Sequence, residues 1–146
     1  ALAKIYIDQG VEEIDMVMDY SAARSGRWDI VEEGIRRVVQ VAHPRNVLVK
    51  VIFETSELNR EEIEKANAVS IAAGADFIKS STGFAGKVTD EVVRWMIDAA
   101  SGRIQVKVSG GIPDYQTAKK YIEMGATRLG VKYSVTPEWM KEHMKK

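Results

Sequence analysis

The sequence contains no cysteine, and this absence excludes disulfide bridges, cysteine-ligated metals and thiol catalysis. It also has no excess of either charge, because 21 basic residues balance 21 acidic ones. We therefore expect no basic surface of the kind that binds nucleic acid or an anionic membrane. No apolar run approaches the ~20 residues of a membrane-spanning helix, and no signal-peptide pattern opens the chain. These absences predict a cytoplasmic protein without nucleic-acid or membrane partners.

What the chain does contain is typical of a soluble globular protein. Hydrophobic residues make up 45% of the 146 positions and charged residues 29%, which is enough for a sizeable core. No low-complexity segment or linker divides the sequence. We therefore expect residues 1–146 to form a single domain.

Short apolar runs alternate with amphipathic stretches along the chain. We interpret five of these runs as strands that are apolar on both faces, which is typical of parallel strands covered on both sides. The predicted strands are 13–18, 46–54, 76–81, 103–111 and 127–134, and the predicted helices are 1–9, 28–42, 58–74, 88–102, 113–125 and 136–146. This alternation predicts a parallel α/β sheet, either open and doubly wound or closed as a barrel.

Several of the predicted helices carry recognisable signals. Asn59 followed by Glu62 forms a capping-box pattern, Thr89 is a candidate N-cap, and Pro113 stands near the first turn of its helix. The apolar stripe of the helix at 28–42 is predicted from the spacing of Val31, Ile35, Val38 and Ala42. Neither of the glycine-rich nucleotide motifs, G-x-G-x-x-G after the first strand or G-x-x-x-x-G-K-[ST], occurs, so nucleotide binding by these routes is not expected.

Each predicted strand carries an ionisable residue inside its apolar run. A single strand lysine is more often an edge residue that reaches water, and a single buried acid can be held by backbone donors. Five such residues, each about one βα unit from the next, favour a functional site at the carboxyl ends of the strands, where parallel α/β folds place their active sites. They are Asp15, Lys50, Lys79, Lys107 and Lys132.

Several lysines beside one carboxylate indicate Schiff-base chemistry. A lysine amine must lose its proton before it attacks a carbonyl, and burial or a second nearby cation favours that loss. Lys79 with Lys107 beside it fits this requirement, and Asp15 is a candidate for moving protons to the intermediates. We expect His43, in a predicted loop, and His143, in the last helix, to lie at the surface.

Glycine-bearing turns follow two of the predicted strands. The segment "SGG" (109–111) stands between a strand and the amino end of a helix, an arrangement that binds anions and phosphate above all. Thr82 and Gly83 in "SSTGF" are placed to contribute in the same way. A short glycine turn is equally common as ordinary loop structure, so the pattern alone leaves both interpretations open.

Four segments together resemble one known family. "EIDMV", "LVKVIFET", "GADFIKSSTGF" and "VKVSGGI", in this order and at these distances, are similar to deoxyribose-phosphate aldolases, class I aldolases built on a (β/α)8 TIM barrel. The resemblance runs from about residue 9 to residue 130. It implies a barrel truncated to about five βα units, equivalent to its fourth to eighth strands and preceded by a helix.

The resemblance also implies a role for each candidate residue. The lysine that matches Lys79 forms the Schiff base with acetaldehyde, the one that matches Lys107 favours its neutral amine, and the aspartate that matches Asp15 relays protons. No metal or organic cofactor is implied. The residues implied or expected to contact the substrate are Lys50, Thr82, Gly83, Gly110, Gly111, Gly130 and Lys132.

The implied reaction is the reversible cleavage of 2-deoxy-D-ribose 5-phosphate to acetaldehyde and glyceraldehyde 3-phosphate. The chain departs from the family at two points: "SGGIPDY" stands where the family has "SGGIRT", and "RLGVKYSV" stands where it has roughly "RIGTSSG". A Schiff-base aldolase with a different aldehyde acceptor, phosphorylated or non-phosphorylated, is therefore an alternative. A noncatalytic paralogue that keeps the pocket is a further one, which the retained catalytic residues disfavour.

The length of the chain gives another alternative. A full barrel usually needs at least ~200 residues, so the chain is also interpretable as a partial barrel with little or no activity. Missing strands leave two open sheet edges and an exposed interior. We therefore expect a homo-oligomer, or pairing with a complementary amino-terminal piece.

Overall fold

The five predicted strands form one parallel sheet in the computed structural model, which describes residues 2–134 and 136–144. Strands that follow one another in the chain are also neighbours in the sheet. They are β1 (Glu13–Val17), β2 (Leu48–Ile52), β3 (Phe77–Lys79), β4 (Gln105–Ser109) and β5 (Arg128–Gly130). All five lie within the predicted ranges, although β3 and β5 are only three residues long.

Seven α-helices occur in the described ranges, and six of them were predicted. They are α1 (Leu2–Asp8), α2 (Tyr20–Arg24), α3 (Trp28–Ala42), α4 (Arg60–Ala72), α5 (Asp90–Ala100), α6 (Tyr115–Met124) and α7 (Thr136–Met144). Helix α2 was not predicted, because its five residues are too few to show a helical period. Its start depends on the Asp19 carboxylate, which accepts a hydrogen bond from the Ala22 N–H at 2.8 Å. The predicted helix ends at 1 and at 145–146 fall outside the described residues.

Side-chain caps also fix where three of the predicted helices begin. Asn59 and Glu62 form the predicted reciprocal capping box at the start of α4, with N···O distances of 3.0 and 2.8 Å. Thr89 caps α5 as predicted, accepting from the Val92 N–H. Pro113 stands near the first turn of α6 as predicted, directly before Asp114, whose side chain caps the helix, and the first helical residue is Tyr115.

The sheet has one apolar face and one polar face, which corrects the prediction of strands that are apolar on both. Alternate residues of a strand point to opposite faces, and the apolar alternates are buried under the helices, for example Val49, Ile78 and Val108. The other alternates carry most of the charges. In the sequence the strands resemble continuous apolar runs, because a charged residue such as Lys50 stands singly between apolar neighbours.

Helix α3 packs on the apolar face through a stripe that differs by one position from the prediction. Val31, Ile35, Val39 and Ala42 are buried, whereas Val38 is only partly buried at the edge of the same core. Burying an aliphatic side chain of this size contributes roughly 1.5–3 kcal/mol relative to leaving it exposed. The stripe therefore accounts for much of the attachment of α3 to the sheet.

The two outer strands leave open edges among the described residues, since β1 pairs only with β2 and β5 pairs only with β4. The sheet is nevertheless strongly curved. The contact that shows this is between Arg128 Nη1 on β5 and Glu13 Oε2 on β1, which lie 2.6 Å apart across the polar face although the two strands are at opposite edges of the sheet. Across the described ranges, no helix combines the length and the apolar character that a membrane crossing requires.

Candidate active site

The register of the sheet brings the charged residues of neighbouring strands side by side. Residues opposite each other in parallel strands point to the same face, and the register pairs Asp15 with Lys50 and Lys79 with Lys107. All four side chains therefore project from the polar, concave face. Lys79 is the last residue of β3, so its amine lies at the carboxyl end of the sheet.

Asp15 is the centre at which the lysines converge. Its Oδ1 accepts a hydrogen bond from Lys50 Nζ at 2.8 Å, and its Oδ2 accepts from Lys79 Nζ at 2.7 Å and from Lys107 Nζ at 3.1 Å. The side chains of these lysines are 3%, 12% and 16% exposed, so the three ammonium groups are largely withdrawn from water. The predicted convergence of four of the five strand charges is confirmed by this geometry.

Two further charged residues belong to the cluster, and sequence reasoning missed both. Glu13 accepts from Lys50 Nζ at 2.6 Å and from Arg128, whose guanidinium also lies 4.8 Å from the centre of the Phe77 ring. A signal for Glu13 was present, because it stands two residues before Asp15 and hence on the same face. Arg128 opens β5 and, through its register partner Lys107, points to that face as well.

The contacts within the cluster shift the pKa values of Asp15, Glu13 and Lys107. Burial of Asp15 disfavours its charge, but hydrogen bonds from Lys50, Lys79 and Lys107 outweigh burial and hold the pKa of Asp15 well below its usual value. Hydrogen bonds from Arg128 and Lys50 lower the pKa of Glu13 to about 2. Burial lowers the pKa of Lys107 below its ordinary value, the hydrogen bond to Asp15 opposes this, and the charges of Lys79 and Lys50 add to the lowering.

A cleft of about 540 Å³ opens above the two lysines at the carboxyl ends of β3, β4 and β5. Asp15 and Lys50 do not line this cleft: Asp15 contacts it only through its hydrogen bonds to Lys79 and Lys107, and Lys50 is hydrogen-bonded to Asp15. The lining includes the other eight residues named from the sequence, which are Lys79, Thr82, Gly83, Lys107, Gly110, Gly111, Gly130 and Lys132.

Lys132 does not belong to the ionic cluster, which corrects its prediction as a strand residue. Strand β5 ends at Gly130, because pairing stops at the Ser109–Gly130 register, and Lys132 lies two residues beyond, exposed on the rim of the cleft. A side chain at 130 would place its Cβ 2.7 Å from the Ser109 Cβ. Glycine at this position therefore allows the close approach of β5 to β4.

The two glycines after β4 line the cleft at positions where a side chain would be strained. Gly110 and Gly111 have φ of +96° and +80°, a region that favours glycine, and a Cβ at 111 would lie 2.6 Å from Lys87 Cγ. The predicted helix amino terminus is less available than expected. Helix α6 begins four residues after Gly111, and Asp114 already accepts from the Thr117 N–H at 2.7 Å.

The loop after β3 is held by a residue that the sequence analysis did not single out. Thr82 was expected to contribute to an anion site, but its hydroxyl donates to the Glu54 carboxylate at 2.5 Å. His43 lies at the surface as predicted, with Nε2 2.9 Å from Asp76 Oδ2. The side chain of His143 falls outside the described residues.

The fold and the site together define a class of protein: a barrel-type parallel α/β protein with two lysines and a carboxylate at the carboxyl ends of its strands. The family model described as DeoC/LacD family aldolase matches residues 2–134. The chain therefore belongs to the DeoC/LacD family of aldolases.

Individual relatives agree with this assignment. A deoxyribose-phosphate aldolase of Exiguobacterium sp. strain AT1b is 48% identical over 125 residues, which cover 85% of this chain and 56% of the relative. The solved structure of an aldolase called QR15 superposes with a TM-score of 0.90 at 42% identity, covering 98% of this chain and 65% of that one. The tetrameric deoxyribose phosphate aldolase of Aeropyrum pernix gives a TM-score of 0.82 at 27% identity, covering 91% of this chain and 56% of that one.

The chain thus spans between 56% and 65% of the length of these relatives. The similarity confirms the resemblance and the barrel-type fold that were inferred from the sequence.

Proposed function

We propose that this chain carries the catalytic centre of a class I aldolase, which reversibly cleaves 2-deoxy-D-ribose 5-phosphate to acetaldehyde and glyceraldehyde 3-phosphate. The observation that supports this most directly is the sharing of one Asp15 oxygen by Lys79 and Lys107 at the base of the cleft. A nucleophilic amine, a second amine and a proton acceptor are the groups that Schiff-base chemistry requires. We expect the reaction to belong to cytoplasmic carbohydrate catabolism.

In this proposal Lys79 is the nucleophile. Its neutral amine adds to the aldehyde carbon of the sugar phosphate, and loss of water from the carbinolamine gives a protonated imine. A base removes the proton of the C3 hydroxyl, the C2–C3 bond breaks, and its electron pair neutralises the imine nitrogen as an enamine forms. Glyceraldehyde 3-phosphate leaves, and protonation of the enamine at C2 followed by hydrolysis releases acetaldehyde and restores the amine.

The charge balance of the cluster supports the formation of a neutral amine there. Three lysines and Arg128 contribute four positive charges against two from Glu13 and Asp15, so the fully ionised cluster carries a surplus of two. Repulsion between cations and withdrawal from water both favour loss of a proton from a lysine. Asp15 lies 2.7 Å from Lys79 Nζ, close enough to accept that proton or to return it to an intermediate.

The upper part of the cleft supports binding of an anionic group on the substrate. Lys87 and Lys132 line it together with the backbone of Gly110 and Gly111. Lysines bind phosphate as point charges, whereas arginine binds it in a fixed bidentate geometry. Because Pro113 stands where the family has an arginine, a Schiff-base aldolase with another aldehyde acceptor remains the second candidate.

The open edges of β1 and β5 support a proposal about assembly. An uncovered strand edge in a parallel sheet is a template for pairing with another chain. We infer that a second copy of this chain, or a complementary amino-terminal piece, covers these edges. The tetrameric structure of the Aeropyrum pernix relative supports this proposal, because that protein assembles from several chains.

Replacing Lys79 by alanine tests the proposed function. We expect Lys79→Ala to abolish the release of acetaldehyde from 2-deoxyribose 5-phosphate, because the substitution removes the amine on which the imine is proposed to form. Lys119→Ala, which removes a half-exposed lysine of α6, is the matched control and is expected to retain activity. If Lys79→Ala keeps activity within about tenfold of the parent, Lys79 is not the nucleophile, since loss of a covalent nucleophile costs far more than that.

A further inference from the structure

Glu54 has a backbone conformation that an L-residue rarely adopts. It follows directly after β2 and the buried Phe53, with φ +52° and ψ +63° in the left-handed region. The Cβ atom of glutamate crowds the backbone in this region, so the conformation costs free energy that glycine, which has no Cβ, would avoid. The residue is nevertheless almost completely buried, with 5% of its surface exposed. Such strain persists where the surrounding structure requires that particular side chain.

The contacts of the Glu54 carboxylate show what it is used for. Its Oε1 accepts from the Ser81 hydroxyl at 2.6 Å, and its Oε2 accepts from the Thr82 hydroxyl at 2.5 Å. The Thr82 N–H points at the same carboxylate, 3.3 and 3.4 Å from its two oxygens. All of these donors belong to the loop that begins immediately after Lys79.

The two hydroxyls that bind Glu54 also accept hydrogen bonds from backbone amides further along the loop. Having donated to Glu54, the Ser81 hydroxyl accepts from the Gly83 N–H at 2.9 Å, and the Thr82 hydroxyl accepts from the Phe84 N–H at 3.2 Å. Because a carboxylate only accepts, it fixes the direction of both hydroxyl protons and leaves their lone pairs free for these amides. One buried side chain thereby sets the path of the loop from Ser81 to Phe84.

The same loop is part of the cleft wall. Thr82, Gly83 and Phe84 line the cleft beside Lys79, and the Lys79 backbone carbonyl accepts from the N–H of Phe53, the residue before Glu54. A displacement of this loop therefore moves the wall against which a carbonyl substrate rests when Lys79 attacks. Small errors in such positioning lower the rate of a covalent step strongly.

From this geometry we infer that Glu54 is the positioning residue of the nucleophile's loop: its strained, buried carboxylate holds residues 81–84 where they orient a carbonyl substrate against Lys79. The inference rests on the proposed Schiff-base function of Lys79. Glu54 itself touches no reacting atom in this scheme, and it acts through the hydroxyls of Ser81 and Thr82.

The test compares Glu54→Gln with the parent chain through two independent measurements. Glutamine keeps the size of the side chain but replaces one acceptor oxygen by a donor, so one hydroxyl loses its partner. We expect faster amide hydrogen exchange at Thr82 and Gly83, and a fall of about tenfold or more in the rate at which acetaldehyde and cyanoborohydride label Lys79. Glu57→Gln, three residues along and in a surface ion pair with Arg24, is the matched control and is expected to change neither.

A second variant separates positioning from stability. Glu54→Gly relieves the left-handed backbone but removes the carboxylate, so we expect slow labelling of Lys79 when the variant is measured well below its own melting temperature, where it is fully folded. A role confined to stability would instead lower the melting temperature and leave the labelling rate of the folded protein unchanged.

The outcomes distinguish this inference from the proposed function. If both Glu54 variants label at the parent rate and exchange at Thr82 and Gly83 is unchanged, the positioning role is overturned. If the parent chain itself is not labelled, the proposed function fails, and amide exchange alone then decides whether Glu54 holds the loop. Faster exchange confined to residues 81–84 supports the inference, and unchanged exchange refutes it.

Discussion

At the scale of single residues, the ionic cluster depends on how Asp15 is shared. One carboxylate cannot neutralise three ammonium groups, so the site keeps a surplus of positive charge that favours loss of a proton from a lysine. Glu13 pairs with Lys50 and Arg128 and thereby leaves Asp15 oriented toward Lys79 and Lys107. The partners of Glu13 set the local charge balance, although Glu13 lines no part of the cleft.

The lowered pKa of Glu13 gives a prediction about pH. Its folded-state pKa of about 2 lies below the ordinary value of 4.5, so proton uptake favours the unfolded chain. The stability that Glu13 contributes is present above about pH 4.5 and is lost as the pH falls toward 2. We expect Glu13→Gln to have a lower free energy of unfolding than the parent at neutral pH, as measured by urea unfolding. The free energies of the two proteins are expected to converge as the pH approaches 2. A constant difference between the two proteins across this range would contradict the assignment.

At the scale of secondary structure, local signals predicted most elements and missed those that depend on distant contacts. The capping residues Asn59 and Thr89 and the helical period located α4 and α5. Glu54 gave no local signal, because its conformation and its burial are explained only by hydroxyls in another loop. Arg128 was also missed, since its partner Glu13 lies 115 residues away in the sequence.

The capping box of α4 provides a prediction at this scale. Asn59→Ala removes the acceptor for the Glu62 N–H and is expected to lower the free energy of unfolding by about 1 kcal/mol, within a range of roughly 0.5–2. Urea unfolding followed by circular dichroism measures the loss. Lys65→Ala, an exposed change within the same helix, is the control and is expected to fall within roughly 0.5 kcal/mol of the parent. Equal stabilities of the two variants would show that the cap contributes nothing.

At the scale of the whole molecule, the sheet is curved like part of a barrel and open at both edges. The number of strands followed from the alternation of sequence patterns, and the parallel pairing followed from the helical connections between strands, whereas the sequential order of the strands followed only from the resemblance to a barrel. The polar concave face did not follow, because its charges are satisfied by partners on other strands. The ion pair between Glu13 and Arg128 joins the first strand to the last and is the clearest mark of the curvature.

The open edges predict self-association. Light scattering of the purified chain is expected to give a species larger than the 16.3 kDa monomer. Val17→Lys places a charge on the exposed end of β1 and is expected to shift the distribution toward monomer, whereas Val41→Lys, on the outer side of α3 and similarly exposed, is not. A well-folded monomer of the parent chain at all concentrations would contradict this prediction.

The central claim is that Lys79 forms an imine, and reductive trapping tests it most directly. The chain is incubated with acetaldehyde and borohydride at neutral pH, its intact mass is measured, and the modified residue is located by peptide mapping. We expect one ethyl group on Lys79, formed well before any label appears on the exposed Lys119 and Lys120. Absence of an adduct on Lys79, or labelling of all three lysines at the same rate, would show that the cluster around Asp15 does not activate this amine.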